Sequence, residues 1–411
     1  MPPVRKPSTK LLLLILIYCN IFAETALAQP TLTISRPTQV YSSDTRICDA
    51  VYATLKKDKG NVFIFTSTWN STFKFWGPLS DPKANLANAN STLNSNLFTI
   101  PPALQTHVSH NYAANVSNYA NFYLKNVIDI GKNELLGLLH LEYMRNFLPA
   151  NDPNCPNCPF YPAIYRIGLC YSNNSGDSWI FCGDIIGVND PSINKLPNGE
   201  LDGELNIGGA PNLIIGDYIY VYFNEKSPST AENYPSVARA KLQEVIESAR
   251  NSTVTTWQKF NQASNSFDQD GLTGLGSRII NGSGLDAHTD AAYCRDLKKY
   301  LLLIRDNINT GLFMYRSTDG VTWSDKQRIA SDVTVNQETR HPAYPFFAAI
   351  SDDANSVSSV VGKKFYIYYL NMRWPTSSST PMAGTDLPLH RVQVNVNSPS
   401  LVRSILNAFL D

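Results

Sequence analysis

Two short stretches place ionisable side chains inside otherwise apolar strand-like sequence. In "LLGLLHLEYM" (residues 135–144), His140 and Glu142 interrupt a run of leucines, and in "LDAHTDAAY" (285–293) Asp286, His288 and Asp290 fall at every second position. Residues two apart on a strand share a face, so His140 pairs with Glu142 on one side while Leu139, Leu141 and Tyr143 take the other. Carboxyl and imidazole groups gathered this way are the equipment of general acid–base catalysis. Confining several carboxylates together raises one pKa above the rest, so one group keeps its proton near neutral pH while another is ionised. Splitting a glycosidic bond asks for that pair: an acid for the leaving oxygen and a carboxylate on the opposite side. Serine and cysteine nucleophile chemistry finds no support, since no G-x-S-x-G occurs.

The elements that must position these groups read as strands. "NVFIFTST" (61–68), "IYRIGLCYS" (164–172), "NLIIGDYIYVYF" (212–223), "KYLLLIRD" (299–306), "GLFMYRS" (311–317) and "KKFYIYYLN" (363–371) are apolar or aromatic runs separated by polar turns. One helix is expected over "VARAKLQEVIESAR" (237–250), with Ser236 as its N-cap. The turns "SNNSGDSW" and "STDGVTW" share a signature: a serine, then Asn174 or Asp319, a glycine, a hydroxyl residue, and Trp179 or Trp323 to anchor the next strand. These resemble the Asp-box turns of propeller blades. A larger unit, a polar inner strand followed by an aromatic-rich one, recurs five times with the 135–187 region included. That predicts an all-β chain, a five-bladed β-propeller with one short helix in an inter-strand connection.

Residues 1–28 have the layout of a secretory signal peptide: Arg5, Lys6 and Lys10, an apolar run from Leu11 to Phe22, and Ala26-Leu27-Ala28. The remainder, 29–411, shows no compositional break and is expected to be one domain, secreted or periplasmic, monomeric and without a transmembrane segment. Lys+Arg and Asp+Glu both number 34, so no net field favours nucleic acid or an anionic surface, and a neutral partner is expected. Sequons at Asn70, Asn90, Asn115, Asn173, Asn251 and Asn281 mark surface positions if the host glycosylates. An oxidising compartment predicts disulfides. Cys170 and Cys182 lie symmetrically about Gly176 and are expected to bridge a hairpin. Cys155 and Cys158 in "NCPNCP" read as a loop disulfide ahead of half a zinc site, which leaves Cys48 and Cys294 as a pair by elimination.

"CDA…GNVFIF", "GAPNLIIGDYIYVYF", "VARAKLQEVIESARNSTVTTWQKF" and "GLFMYRSTDGVTWS" resemble the five-bladed propeller glycoside hydrolases, the superfamily of arabinanases, xylosidases and fructan-acting enzymes. The resemblance covers most of residues 46–375. It implies three carboxylates from different blades meeting in a central channel: a base, an acid and a group that tunes the acid. Asp49 falls at the base position, Glu142 is the first choice for the acid, and Asp290 stands on the channel strand of its blade. His140, His288 and Asp286 would hold substrate hydroxyls or orient carboxylates, while Tyr143, Trp69 or Trp76 could stack on sugar faces. The family's usual acid position, before Ala-Pro, is Gly209 here, with Glu204 five residues upstream as a substitute. The superfamily can carry channel calcium, yet no ligand spacing specifies one, so no metal or cofactor is assigned. The expected partner is an oligo- or polysaccharide. A non-catalytic carbohydrate-binding propeller and an adhesion propeller displaying loops remain the alternatives. A sialidase would need an Arg-Ile-Pro stretch that is absent.

Overall fold

The computed structural model describes residues 30–41, 53–58, 61–68, 71–78, 98–99, 101, 121–144, 163–187, 207–226, 232–335, 338–349, 359–373 and 388–397. The described residues are all-β with one helix, in a β-propeller arrangement. Where five full blades are expected, four sheets of five or six strands are present among the described residues, together with one three-stranded sheet. The small sheet comprises Ala53–Asp58, Asn61–Thr68 and Ser71–Pro78.

The second sheet runs from Asn121–Gly131 through Glu134–Met144 and Ala163–Ser172 to Trp179–Ile186, with Phe98–Thr99 added in parallel at its far edge. The third begins at Asn212–Ile215 and continues through Tyr218–Lys226, Asn233–Lys241, Gln258–Asn261 and Ser266–Asp270. In the fourth, Ala291–Cys294 leads to Lys299–Asp306, Gly311–Ser317 and Ser324–Ser331. The fifth joins Glu338–Ala349, Lys364–Arg373 and Leu389–Asn397 to the N-terminal strands Thr31–Ile34 and Thr38–Tyr41. The two ends of the described chain therefore close one sheet, which ties the ring by backbone hydrogen bonds.

Both faces of a blade are covered, so its strands are apolar continuously and not in alternation. "KYLLLIRD" shows the consequence. Leu301 and Leu303 enter the core shared with the fifth sheet, where Phe347, Phe365 and Ile367 lie, while Leu302 and Ile304 enter the core shared with the third sheet, beside Tyr220 and Tyr222. A period of two thus divides one strand between two inter-sheet cores.

Two expectations are corrected. The segment Asn233–Lys241 is a strand, and the helix occupies only Leu242–Arg250. Nine successive pairings with Tyr218–Lys226 outweigh the helical spacing of Val237 to Lys241, and the Ser236 hydroxyl donates to the Ser277 carbonyl instead of capping a helix. The helix turns Val245 and Ala249 into the core between the second and third sheets, and Arg250 near its end donates to Glu134 of the second sheet at 2.5 Å. Likewise, "NLIIGDYIYVYF" is a hairpin folded at Gly216, whose φ of +58° suits a residue without Cβ.

The Cys170–Cys182 bridge is not formed; Cys170, Cys182 and Cys294 are buried thiols. A bulge between Phe181 and Gly183 shifts the register, so Cys170 faces Phe181 across the ladder. Cys170 Sγ then lies against the Gly137 carbonyl, and Cys182 Sγ lies against the Ala249 carbonyl of the helix. Cys48, Cys155, Cys158 and the signal-peptide residues lie outside the described residues. No helix among the described residues is long and apolar enough to cross a membrane.

The Asp-box-like turns fold as their sequence predicts. Ser317 Oγ donates to Asp319 Oδ1 at 2.9 Å, and the amides of Val321 and Thr322 donate to the same oxygen at 2.8 and 2.7 Å. Asn174 plays the equivalent part toward Ser172 and Ser178. Partial burial would raise the Asp319 pKa, but these donors hold it below the usual value. Asp319→Ala leaves the two amides without their acceptor and is expected to cost about 1–2 kcal/mol, read as a lower urea midpoint with an unchanged slope.

Candidate functional site

Ala291–Cys294 runs close to Asn212–Ile215 of the third sheet and Glu338–Ala349 of the fifth, and the segment that leads into it carries Asp286, His288 and Asp290. Asp290 immediately precedes Ala291–Cys294 and is only 1% exposed. Its Oδ1 accepts from Asn126 Nδ2 at 3.2 Å and from the Ala291 amide at 2.9 Å, and its Oδ2 accepts from the Phe347 amide at 3.0 Å. One carboxylate thus joins the inner strands of the second, fourth and fifth sheets. Burial raises its pKa to about 7 against the pull of these three donors.

His140 stands on the second strand of its sheet, not the innermost. Its side chain reaches across the sheet boundary: Nδ1 lies 3.1 Å from the Gly208 carbonyl, and the ring stacks on Tyr165 with centroids 5.3 Å apart. The His288 ring follows at 5.0 Å, and Tyr344 meets His288 edge-on at 5.4 Å. Behind Tyr344 the fully buried Lys125 places Nζ 5.3 Å from both the Tyr344 and the Tyr123 ring centres. Histidine, tyrosine and lysine side chains from four strands and the segment before Ala291–Cys294 thereby form one continuous cluster.

Beside the cluster opens a cleft of about 510 Å³ between the third, fourth and fifth sheets, lined by Asn224, Glu232, Asp286, His288, Arg305 and Tyr344 among others. Asn224 fastens its floor, donating from Nδ2 to Asp286 Oδ1 at 2.7 Å and accepting from the Ala287 amide at 2.9 Å. The same Asp286 oxygen accepts the His288 amide at 3.0 Å. Arg305 is held by both oxygens of Asp332 and lies 3.0 Å from His341 Nδ1, while Glu232 faces Arg278 at 3.1 Å. Among the described residues no group of three or more His, Cys, Asp or Glu side chains could hold a metal ion.

Of the residues expected from sequence, the fold brings His140, His288, Asp286 and Asp290 into one neighbourhood. Asp286 and His288 line the cleft; Asp290 does not. Glu142 sits in the ladder opposite Asn121 and Tyr165, two positions from His140, with Tyr143 beside it. Their side chains lie outside the described residues, as do Asp49, Glu204 and Trp69. Arg166, opposite Leu141 in the same ladder, donates to Asp184 at 2.9 Å.

Gly209 has a steric reason. A Cβ there would meet His288 Cδ2 at 3.0 Å and the His288 backbone at 3.3 Å, so a side chain at 209 would press on the His288 segment. Tyr344, Lys125, Arg305 and Glu232 were not selected from sequence. Lys125 in "FYLKNVI" carries the same signal as His140, a charge inside an apolar strand, and the Tyr344-Pro345 step interrupts another.

No family model matches the sequence, and no curated protein matches it. In three dimensions the chain is similar to several solved glycoside hydrolases. One is the catalytic domain of a GH62 alpha-L-arabinofuranosidase from Coprinopsis cinerea, with a TM-score of 0.44 at 9% identity over 89% of this chain and 97% of that one. An alpha-L-arabinofuranosidase from Podospora anserina gives 0.44 at 10% identity, covering 90% and 98%. A GH43 endo-arabinanase from Bacillus licheniformis gives 0.42 at 11% identity, covering 87% and 96%.

Proposed function

We propose that this protein is a secreted glycoside hydrolase-like propeller that acts on a neutral glycan at the inner end of its blades. The observation that carries the reading is the chemistry of the cleft. Arg305 is matched by Asp332 and Glu232 by Arg278, Asp286 is held by neutral donors from Asn224 and the His288 amide, and His288 and Tyr344 stand beside them in the lining. A wall of hydrogen-bonding groups beside an aromatic ring, without a strong field of one sign, suits sugar hydroxyls better than phosphates or acidic sugars.

In this reading Glu142 is the acid and Asp49 the base. Asp290, with both oxygens engaged by buried donors, acts by fixing the segments of Asn126, Ala291 and Phe347 and not by touching substrate. The three-stranded sheet of residues 53–78 is then the inner part of a fifth blade, consistent with its strands running beside Asn121–Gly131.

A second reading has its own support. A glycine packed closely on His288 stands at the resembled acid position, where the family carries a carboxylate, which favours a propeller that binds glycans without cutting them. Reducing-sugar release from soluble arabinan, xylan and fructan, wild type beside Glu142→Gln, separates the two. Hydrolysis with Glu142 as the acid predicts a fall in rate of roughly 10²–10⁴-fold in the variant. Glycan binding by both proteins with release by neither would assign the lectin-like role.

A further inference from the structure

We infer that the ring of Tyr344 is the sugar-contacting wall of the cleft, held there by a backbone conformation that its packing alone does not call for. The inference rests on the glycan reading above and names a contact that reading did not contain.

Tyr344 has φ +48°. A bulky side chain is rarely found in that left-handed region, and the proline at 345 restricts the preceding residue further toward extended conformations. Sequence and local geometry therefore both oppose the observed conformation. It coincides with the register break between Ala343 and Phe346 in the pairing of Glu338–Ala349 with Lys364–Arg373. Pro345 has no amide hydrogen to give the ladder, so the strand departs from its partner here and re-enters at Phe346.

The detour redirects one side chain. Phe346 stacks on Tyr368 with centroids 5.0 Å apart, and Phe347 enters the apolar core. Tyr344 instead turns beside the cleft, where it and Ala343 form part of the wall with His288 and Arg305. The imidazole of His288 and the ammonium of Lys125 support the ring, leaving 9% of the residue exposed. An aromatic face backed by a buried cation and an imidazole is rigid, and rigidity in a binding wall lowers the ordering cost of capture. Strain retained at a cleft and backed by a buried charge is the pattern of a functional position.

The test uses the full mature chain and three proteins: wild type, Tyr344→Phe and Tyr344→Asn. Asparagine accepts the left-handed conformation more readily than tyrosine does. Binding of soluble arabinan, xylan and fructan is measured by calorimetry, and thermal unfolding is followed in parallel. The expected result is that the affinity of Tyr344→Asn falls roughly tenfold at a temperature where the variant is still fully folded, whatever its Tm, and Tyr344→Phe binds as wild type does. A clear drop in Tm for Tyr344→Asn with unchanged affinity would make the ring a packing element and overturn the inference. Equal losses of affinity in both variants would transfer the contact to the hydroxyl and overturn the assignment to the ring. Absence of binding by the wild type to every polysaccharide would overturn the glycan reading itself, and this contact with it.

Discussion

Replacing Lys259 by methionine is expected to lower the unfolding free energy by about 3–5 kcal/mol, the largest single effect foreseen outside the apolar core. Lys259 and Glu225 are both fully buried and 2.7 Å apart. The ammonium also donates to the carbonyls of Gly187 at 2.5 Å and Gly274 at 2.7 Å, while Glu225 accepts the Gly276 amide at 3.0 Å. Burial pushes Glu225 up and Lys259 down, each opposed by the charge of the other. Removing the cation strands a carboxylate and two carbonyls in a dry site. Glu225→Gln in the Lys259→Met background removes the stranded charge and should restore part of the loss, so the two changes are strongly non-additive. Urea unfolding of the four proteins measures the coupling. A single-variant cost below about 1 kcal/mol, the range of an exposed pair, would contradict this picture. Gly276 belongs to the same arrangement, because a Cβ there would lie 2.4 Å from Ser236 Oγ.

The second large effect is a dependence of stability on pH that runs against the common direction for carboxylates. Burial lifts the Asp290 pKa from 3.8 to about 7. A carboxyl whose folded pKa lies above its unfolded one keeps its proton in the folded state while the unfolded chain has already released it. Its stabilising contribution is complete below about pH 4 and is lost as pH rises through about 7, an upper bound of about 4 kcal/mol. The groups that touch it, the Asn126 amide and the Ala291 and Phe347 backbone amides, do not titrate in this range. Carboxylates held low, such as Glu134 at about 2 through Arg250 and Tyr171, act below this window and gain stability with rising pH. Comparing wild type with Asp290→Asn cancels such background. The variant places an amide donor among the three donors that now face Asp290, so it should be less stable at acid pH. The difference should narrow as pH rises from about 4 to about 8, and parallel profiles would show that Asp290 does not titrate there.

Strand texture was legible because it is a local property. Asn61–Thr68, Lys299–Asp306 and Gly311–Ser317 begin and end where their apolar runs do, and the turn chemistry of Ser317, Asp319 and Gly320 follows from side chains that bond their own backbone. The helix boundary was not legible, because "VARAK" satisfies helical spacing and strand burial alike and only the partner Tyr218–Lys226 decides between them. The cysteine pairing failed for a similar reason. Symmetry about Gly176 predicts opposition only in a regular ladder, and one inserted residue at Cys182 reverses the face.

Local pattern alone specified the strands and turn types of the described residues, and showed that His140, Asp286, His288 and Asp290 stand where apolar strands would not otherwise carry polar groups. Those conclusions need only alternation and the cost of burying a polar group. Which of these residues meet, and which of them face a cleft, depended on contacts between segments far apart in the chain. Asp290 is a strut because Asn126 and Phe347 arrive from two other sheets, and Gly209 packs closely on His288. Tyr344 turns to the cleft where the ladder breaks at Pro345, and Lys125 comes from another sheet to support it. Such meetings are settled by how the sheets pack around the centre, which no local periodicity encodes.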